Sequence, residues 1–183
     1  GYFGWCLVHI LNNKKYKSIQ EAFTAWKDYM VSMGYGYKLG VDLPGETRGF
    51  IPNAAYYNKG FRTEKWKPIN VISISIGQGE ILATPLQIAN LAATIANRGH
   101  YYVPHVIHAI QDTIIPDTFK IKQRTLIDTK WYDWVVDGMR HAATNGTVYR
   151  AGNMDPEGIE LCGKTGTAQN PHGKDHSAFM GFA

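Results

Sequence analysis

Hydrophobic residues recur every three or four positions in three segments, which is the spacing of an amphipathic helix. The first segment follows residues 18–21, a Ser-x-x-Glu sequence typical of helix starts, and ends at Gly34. The second begins at residues 84–87 and closes at residues 97–99, and the third spans about residues 131–143. The predicted buried faces are Ala22, Phe23, Trp26, Tyr29, Met30 and Met33, then Ile88, Leu91, Ala92, Ile95 and Ala96, then Trp131, Trp134, Val135, Gly138, Met139 and Ala142. Most of the five tryptophans are accordingly predicted to lie in the core.

Alternation of apolar and polar positions predicts β-strands elsewhere in the chain. The predicted strands are residues 71–76, 103–110, 159–162 and 177–183. The third runs directly into Gly-Lys-Thr-Gly-Thr, and the turn-rich residues 170–175 connect it to the fourth as an antiparallel hairpin. Because the helices fall mostly before this hairpin rather than alternating with strands, the predicted fold class is α+β, an antiparallel sheet packed by helices.

Composition limits the class of protein further. The 183 residues carry 19 basic and 15 acidic side chains, a net charge of +4, and have the balance of an ordinary globular domain. The basic residues are scattered, so no nucleic-acid partner is predicted. The longest uncharged stretch, residues 81–97, contains too many polar residues for a membrane span. Cys6 and Cys162 are predicted to be structural thiols among apolar neighbours.

Both ends of the chain lie within apolar stretches, residues 2–11 and 177–183. Domain boundaries usually fall in polar, flexible sequence. Residues 1–183 are therefore predicted to be one partial domain that is truncated at both ends.

Residues 158–165 match the P-loop pattern Gly-x-x-x-x-Gly-Lys-Thr letter for letter. A P-loop binds phosphate because a strand precedes the loop and a helix begins directly after the Lys-Thr pair. Here residues 151–157 show no strand pattern, and the Gly- and Pro-containing residues 166–173 do not favour a helix. Nucleotide binding therefore remains only an alternative hypothesis.

If the same residues form a strand, they indicate a different kind of binding site. Lys164 is then exposed and flanked by the hydroxyls of Thr165 and Thr167, and Gly166 between them lets a ligand backbone approach closely. An ammonium and hydroxyls beside an open strand edge suit a peptide that ends in a carboxylate. A surface turn also explains the Lys-Thr-Gly tripeptide without any ligand. The tripeptide alone therefore does not distinguish a binding site from a turn.

Residues 163–169, Gly-Lys-Thr-Gly-Thr-Ala-Gln, resemble the third motif of the penicillin-recognising serine transpeptidases and β-lactamases. Further segments are similar, in order and spacing, to class B penicillin-binding proteins. These segments are residues 35–46, 76–79, 84–87, 96–99, 104–106, 146–147 and 179–183. The Gly-Gln-Gly and Asn-Arg-Gly sequences among them favour the elongation type, the penicillin-binding protein 2 family, over the division type.

The resemblance implies acyl transfer on peptidoglycan stem peptides ending in D-Ala-D-Ala, with β-lactams as inhibitors and other cell-wall synthesis proteins as partners. It implies no metal or cofactor. Its site residues here are Lys164, Thr165, Gly166 and Thr167: Lys164 and Thr165 bind the carboxylate of the substrate, and the Thr167 N–H contributes to an oxyanion hole. It also implies a protein of the bacterial cytoplasmic membrane with this domain on the outer, periplasmic side.

One departure from the family pattern concerns the nucleophile. The family uses Ser-x-x-Lys and Ser-x-Asn motifs, and no serine of this chain has Lys three positions later or Asn two positions later. The five serines are Ser18, Ser32, Ser73, Ser75 and Ser177. Both motifs are expected before Gly1, so the chain alone is expected to be inactive. A non-catalytic peptide-binding module therefore stays open as a third hypothesis.

Three weaker candidates involve histidines and carboxylates. His172 and His176 lack an accompanying acidic or thiol ligand, and His105 and His108 would point to opposite faces of a strand. The Asp42 and Glu46 pair flanks a Leu-Pro-Gly turn, which explains the segment without catalysis.

Overall fold

The computed structural model describes residues 1–107, 109, 115–149, 158–170 and 172–183. Its α-helices are α1 (Tyr2–Leu11), α2 (Ile19–Ser32), α3 (Ala54–Phe61), α4 (Pro85–Ala96) and α5 (Tyr132–Thr144). Three 3₁₀ helices span Pro68–Ile76, Asp117–Phe119 and Thr129–Trp131. The strands are β1 (His100–Tyr101), β2 (Gln123–Arg124), β3 (Cys162–Ala168) and β4 (His176–Phe182). They form two antiparallel pairs, β1 with β2 and β3 with β4, so the predicted α+β class is confirmed.

The chain divides into two compact units, Gly1–Thr84 and Pro85–Ala183. The first is organised around the fully buried Phe23 of α2, whose ring meets Tyr57 and Trp66 edge to face. Its buried core cluster is Leu7, Leu11, Ala22, Phe23, Tyr57, Trp66, Val71 and Ile74. Helices α1, α2 and α3 and the first 3₁₀ helix therefore share one hydrophobic core.

Helix α2 begins as predicted. The Ser18 hydroxyl accepts a hydrogen bond from the Glu21 N–H, while the Glu21 carboxylate accepts one from the Lys17 N–H at 2.7 Å. In the capping box that a Ser-x-x-Glu sequence usually forms, the Glu carboxylate accepts from the N–H of the serine itself, whereas here it accepts from the residue before, Lys17. The helix ends before Gly34, whose φ of +93° suits glycine.

Two apolar segments of the first unit differ from their predictions. Residues 71–76 form part of a 3₁₀ helix instead of a strand, because Val71 and Ile74 also share a face at the three-residue period and are both buried. Residues 2–11 form helix α1, which the spacing of apolar residues and the helix-capping sequences did not predict. Only Gly4, Leu7 and Leu11 of α1 are buried.

The second unit packs α4, α5 and the β3–β4 hairpin together. Its buried cluster is Ile95, Tyr132, Met139 and Cys162. Leu91, Ile127, Val136, Met180 and Phe182 pack around the cluster. Residues from both helices and from both strands of the hairpin thus meet in one small core.

The predicted buried faces of α4 and α5 were right only in part: Ala92 and Ile95 of α4 and Met139 of α5 are buried as predicted. On α5 the buried residues are Tyr132, Met139 and Ala143, while Trp134 is 77% exposed. Tyr132 can be buried because its hydroxyl has a polar partner, the Thr125 hydroxyl, at 2.6 Å.

Polar residues are buried on α4 as well. They are Gln87, Asn90 and Thr94, and the Thr94 hydroxyl donates to the Asn90 carbonyl at 2.7 Å. Apolar periodicity cannot detect such a face. The prediction that most tryptophans belong to the core is also wrong, because Trp5, Trp131 and Trp134 are exposed.

The C-terminal antiparallel hairpin was predicted correctly, and so was the pairing of its two strands. Strand β3 begins at Cys162 rather than at residue 159, and it contains the whole Lys-Thr-Gly-Thr sequence. The second predicted strand is absent over residues 103–107, and residues 108 and 110 lie outside the described residues. The two-residue strands β1 and β2 were not predicted.

Candidate active-site strand

The four residues singled out by the sequence lie consecutively in the middle of β3. Lys164, Thr165, Gly166 and Thr167 pair with Met180, Phe179, Ala178 and Ser177 of β4. Because successive side chains leave a strand on opposite faces, Lys164 and Gly166 share one face and the two threonines share the other. The two threonines therefore follow Lys164 along the strand, and their side chains leave it on the face opposite to the Lys164 side chain.

The ammonium of Lys164 folds back onto its own strand. It donates to the Thr165 backbone oxygen at 2.6 Å and remains exposed. A neutral carbonyl is a weaker partner for an ammonium than a carboxylate is. The ammonium is therefore held beside Thr165 by a bond that an incoming carboxylate can replace.

One edge of the candidate strand is open. In the described ranges of the chain, β3 pairs with β4 alone, which leaves its other edge without a partner strand. Lys164, Gly166 and Thr167 are exposed, and Thr165 is half-buried. An extended peptide can add to such an edge through backbone hydrogen bonds.

Packing fixes the start of β3 against the helices. Cys162 is buried with Ile95, Tyr132 and Met139, and burial raises the pKa of its thiol. Cys162 is thus a neutral packing residue, as the sequence predicted. The prediction fits Cys6 less well, because Cys6 is only half-buried.

Two polar contacts also connect the end of α5 with the region of β3. Arg140 donates to Asp137 at 2.6 Å and lies 3.7 Å from the Glu160 carboxylate, just before β3. The hydrogen bond from Arg140 lowers the pKa of Asp137 below its usual value.

The second contact joins two hydroxyls. The Oγ1 of Thr147, which follows α5, lies 3.2 Å from the Oγ1 of Thr165. The sequence marked residues 146–147 as part of a family-like pattern but assigned them no role.

The P-loop hypothesis does not fit this geometry. Lys164 and Thr165 are followed by strand residues up to Ala168, whereas a P-loop requires a helix N-terminus at that point. No helix begins in the described residues that follow the pair, 166–170 and 172–175.

Two of the weaker candidates, Glu46 and His105, contact backbone groups. The Glu46 carboxylate accepts hydrogen bonds from the backbone N–H groups of Leu39, Gly40 and Val41 and so ties a loop together. The His105 Nδ1 lies 3.0 Å from the Val103 oxygen. His108 lies outside the described residues. Within the described ranges, no group of three or more His, Cys, Asp or Glu side chains is placed to hold a metal ion.

The serines are arranged without the family's catalytic motifs. Ser18 caps α2, the Ser32 and Ser75 hydroxyls donate to backbone carbonyls three residues earlier, and Ser177 pairs with Thr167 across the hairpin. Ser177 therefore lies on β4, directly across the hairpin from Thr167.

Comparison with known proteins places this arrangement in a family context. Residues 11–183 match the penicillin binding protein transpeptidase domain. The peptidoglycan D,D-transpeptidase MrdA of Acinetobacter baumannii is 37% identical over 183 residues, covering 90% of this chain and 26% of that protein. MrdA of Haemophilus influenzae is 30% identical over 147 residues, covering 78% of this chain and 22% of that protein. The chain spans about a quarter of the length of these curated relatives.

Solved structures share the fold. Penicillin-binding protein PBP2 from Helicobacter pylori matches with a TM-score of 0.76 at 27% identity, covering all of this chain and 31% of that one. Pseudomonas aeruginosa PBP2, in complex with WCK 5153, matches with a TM-score of 0.70 at 30% identity. This second match covers 91% of the present chain and 41% of the P. aeruginosa chain.

Proposed function

The chain belongs to the family of penicillin-binding protein transpeptidase domains, and from that premise we propose that it is part of a peptidoglycan D,D-transpeptidase of the elongation type. The rest of the domain then lies outside residues 1–183. Two observations support this proposal. The relatives named MrdA carry this activity in their names, and the Lys-Thr-Gly-Thr sequence that resembles the third motif of the family lies on strand β3.

The proposed reaction is acyl transfer in two steps. A serine hydroxyl supplied by the rest of the domain attacks the carbonyl between the last two residues of a stem peptide ending in D-Ala-D-Ala. The peptide bond breaks, a serine ester forms, and the terminal D-Ala leaves with a proton on its amine. An amine of a neighbouring stem then attacks the ester, releasing the serine and forming the cross-link. Penicillin acylates the same serine when its lactam ring opens.

In this proposal β3 supplies recognition, and the observation that carries it is the exposed Lys164 beside Thr165 at an open strand edge. Lys164 binds the terminal carboxylate of the substrate through its charge, and the Thr165 hydroxyl donates to the same carboxylate. The backbone N–H of Thr167 donates to the developing oxyanion, a contribution typically worth about 3–4 kcal/mol.

Gly166 has a spatial role in the proposed site. It is exposed, and a Cβ built there would meet only the Ala178 Cβ, at 3.9 Å. The hairpin therefore tolerates a larger residue, while the substrate backbone needs the space along the strand. We assign Gly166 to substrate access rather than to packing.

Partners and location follow from the same premise. The solved relatives include a complex of PBP2 with MreC from Helicobacter pylori and a peptidoglycan synthase complex. We assign the protein that contains this chain to the outer face of the bacterial cytoplasmic membrane, working with other cell-wall synthesis proteins. Of the helices that the structure describes, none has the length and apolar character to cross a membrane.

Covalent labelling with a fluorescent penicillin tests the proposal. The full-length protein should form a stoichiometric adduct, whereas residues 1–183 alone should form none, because none of their serines has a lysine at the i+3 position. Intact-mass spectrometry measures both. An adduct mapped to Ser177 or another serine of this chain, or an unlabelled full-length protein, would contradict the proposal.

Nucleotide titration in the presence of Mg²⁺ tests the P-loop alternative. ATP and GTP should not bind at micromolar concentrations, because β3 continues through the Lys164–Thr165 position. Saturable binding that disappears in Lys164→Ala would support the alternative and contradict the role of β3.

A further inference from the structure

We propose that Thr147 is a positioning residue that orients the Thr165 hydroxyl toward the carboxylate of the substrate. This inference rests on the proposed function of β3. Its geometric basis is the 3.2 Å distance between the two Oγ1 atoms, which joins the segment after α5 to the middle of β3. The two threonines are separated by 18 positions in the sequence.

The turn that carries Thr147 is held in place by its own packing. The Asn145 N–H donates to the His141 carbonyl at 2.9 Å, and the Val148 N–H donates to the Ala142 carbonyl at 3.0 Å. Val148 is buried, and a Cβ at Gly146 would lie only 2.8 Å from the Ala142 Cα. Thr147 is therefore an exposed side chain on a fixed turn.

Hydroxyl chemistry determines what this contact does. Each threonine hydroxyl has one proton and can accept at its oxygen, so either residue can donate when no ligand is present. Once a carboxylate arrives, the Thr165 proton goes to the anion. The contact between the threonines then persists only if Thr147 donates to the Thr165 oxygen.

The resulting chain runs from the Thr147 hydroxyl to the Thr165 hydroxyl and then to the carboxylate. Hydrogen bonds in such a chain polarise one another, which strengthens the last donor. The Thr165 hydroxyl is thus already held by Thr147 before the substrate arrives, so less of its freedom is lost on binding.

The test compares variants of the full-length protein in acylation by penicillin. Thr147→Val keeps the shape and removes the hydroxyl, and it should lower the second-order acylation rate constant roughly three- to tenfold. The loss should lie in the binding step before acylation, with little change in the rate at saturating penicillin. Thr147→Ser, the matched control, should stay within about twofold of the wild type.

A double-mutant cycle separates positioning from a structural role. In a Thr165→Val background, adding Thr147→Val should change the rate constant less than about twofold, because the hydroxyl through which Thr147 acts is gone. An equal loss in both backgrounds would overturn the inference, as would a wild-type rate constant in Thr147→Val. If Thr147→Val folds poorly in a thermal melt, Thr147→Ala replaces it in the same cycle. Failure of the wild type to be acylated would contradict the proposed function instead.

Discussion

The two compact units of this chain distribute stability and chemistry differently. Gly1–Thr84 has a buried cluster rich in aromatic rings, with Phe23 at its centre, and contains none of the Lys-Thr-Gly-Thr residues. Pro85–Ala183 has a smaller buried cluster among the described residues, and it carries β3. The strand proposed to bind substrate therefore belongs to the unit with the smaller core.

This difference explains why polar contacts recur around β3. Cys162 anchors the start of the strand in the small core, whereas Lys164 and residues 166–168 are exposed and Thr165 is half-buried. Arg140 beside Glu160 and Thr147 beside Thr165 add contacts where packing is thin. Segments that bind ligands commonly have lower local stability than the core of a protein. The predictions below test whether the first unit determines stability and the second determines recognition.

The largest expected effect on stability comes from Phe23→Ala. The ring is fully buried against three other aromatic rings, so its removal leaves a cavity and should lower the free energy of unfolding by about 3–5 kcal/mol. Denaturant unfolding of the full-length protein measures the loss. Acylation by penicillin, measured on the folded fraction, should stay within about twofold of the wild type.

Trp134→Ala is the control for size and aromatic character. Its ring is 77% exposed on α5, so the change in the free energy of unfolding should stay within about 0.5 kcal/mol. Equal losses for the two variants would contradict the assignment of the core to the Phe23 cluster.

Met139→Ala should affect both properties. Met139 is buried in the cluster that holds Cys162, so the free energy of unfolding should fall by about 2–4 kcal/mol. Because the start of β3 loses packing, acylation of the folded fraction should slow as well. The ratio of acylation rates between Met139→Ala and Phe23→Ala measures this coupling, and a ratio of one contradicts the proposed dependence of β3 on this core.

The smallest expected effect is on the stability of the folded protein at acid pH. Arg140 lowers the pKa of Asp137 in the folded protein, so the ionised carboxylate favours folding above its unfolded pKa of about 3.9. That contribution is lost as the pH falls through the lower folded pKa. Asp137→Asn should therefore flatten the acid loss of stability slightly, as measured by thermal midpoints between about pH 6 and pH 2. Asp28→Asn is the control at an exposed carboxylate. If the thermal midpoints of Asp137→Asn and the wild type fall with pH at the same slope, the contribution of the Asp137 carboxylate to acid stability is contradicted.

The sequence predicted where helices and strands lie along the chain better than it predicted which of their faces are buried. Helices α2, α4 and α5 and the C-terminal hairpin were located because caps, glycines and strand alternation are local signals. The predicted faces of α4 and α5 were right at Ala92, Ile95 and Met139. They missed the buried polar residues of α4 and wrongly placed Trp134 in the core, because tertiary partners decide such positions. The strand prediction for residues 71–76 was wrong because Val71 and Ile74, three positions apart, share the buried face of a 3₁₀ helix.

The candidate site shows the same division between local and tertiary information. The Lys-Thr-Gly-Thr residues could be found from sequence, since the motif and its strand are contiguous. The contact from Thr147 could not, because it depends on how the turn after α5 meets β3 across 18 positions. Local patterns carry no information on that distance.

Replacement of Lys164 tests the central claim, that β3 binds the carboxylate of the substrate. In the full-length protein, Lys164→Ala should lower the second-order rate constant for acylation by penicillin roughly ten- to a hundredfold, since a charge-assisted hydrogen bond is lost. Lys174→Ala removes an exposed lysine between β3 and β4 and should leave the rate constant within about twofold of the wild type. An unchanged rate constant in Lys164→Ala, or an equal loss in both variants, would contradict the claim.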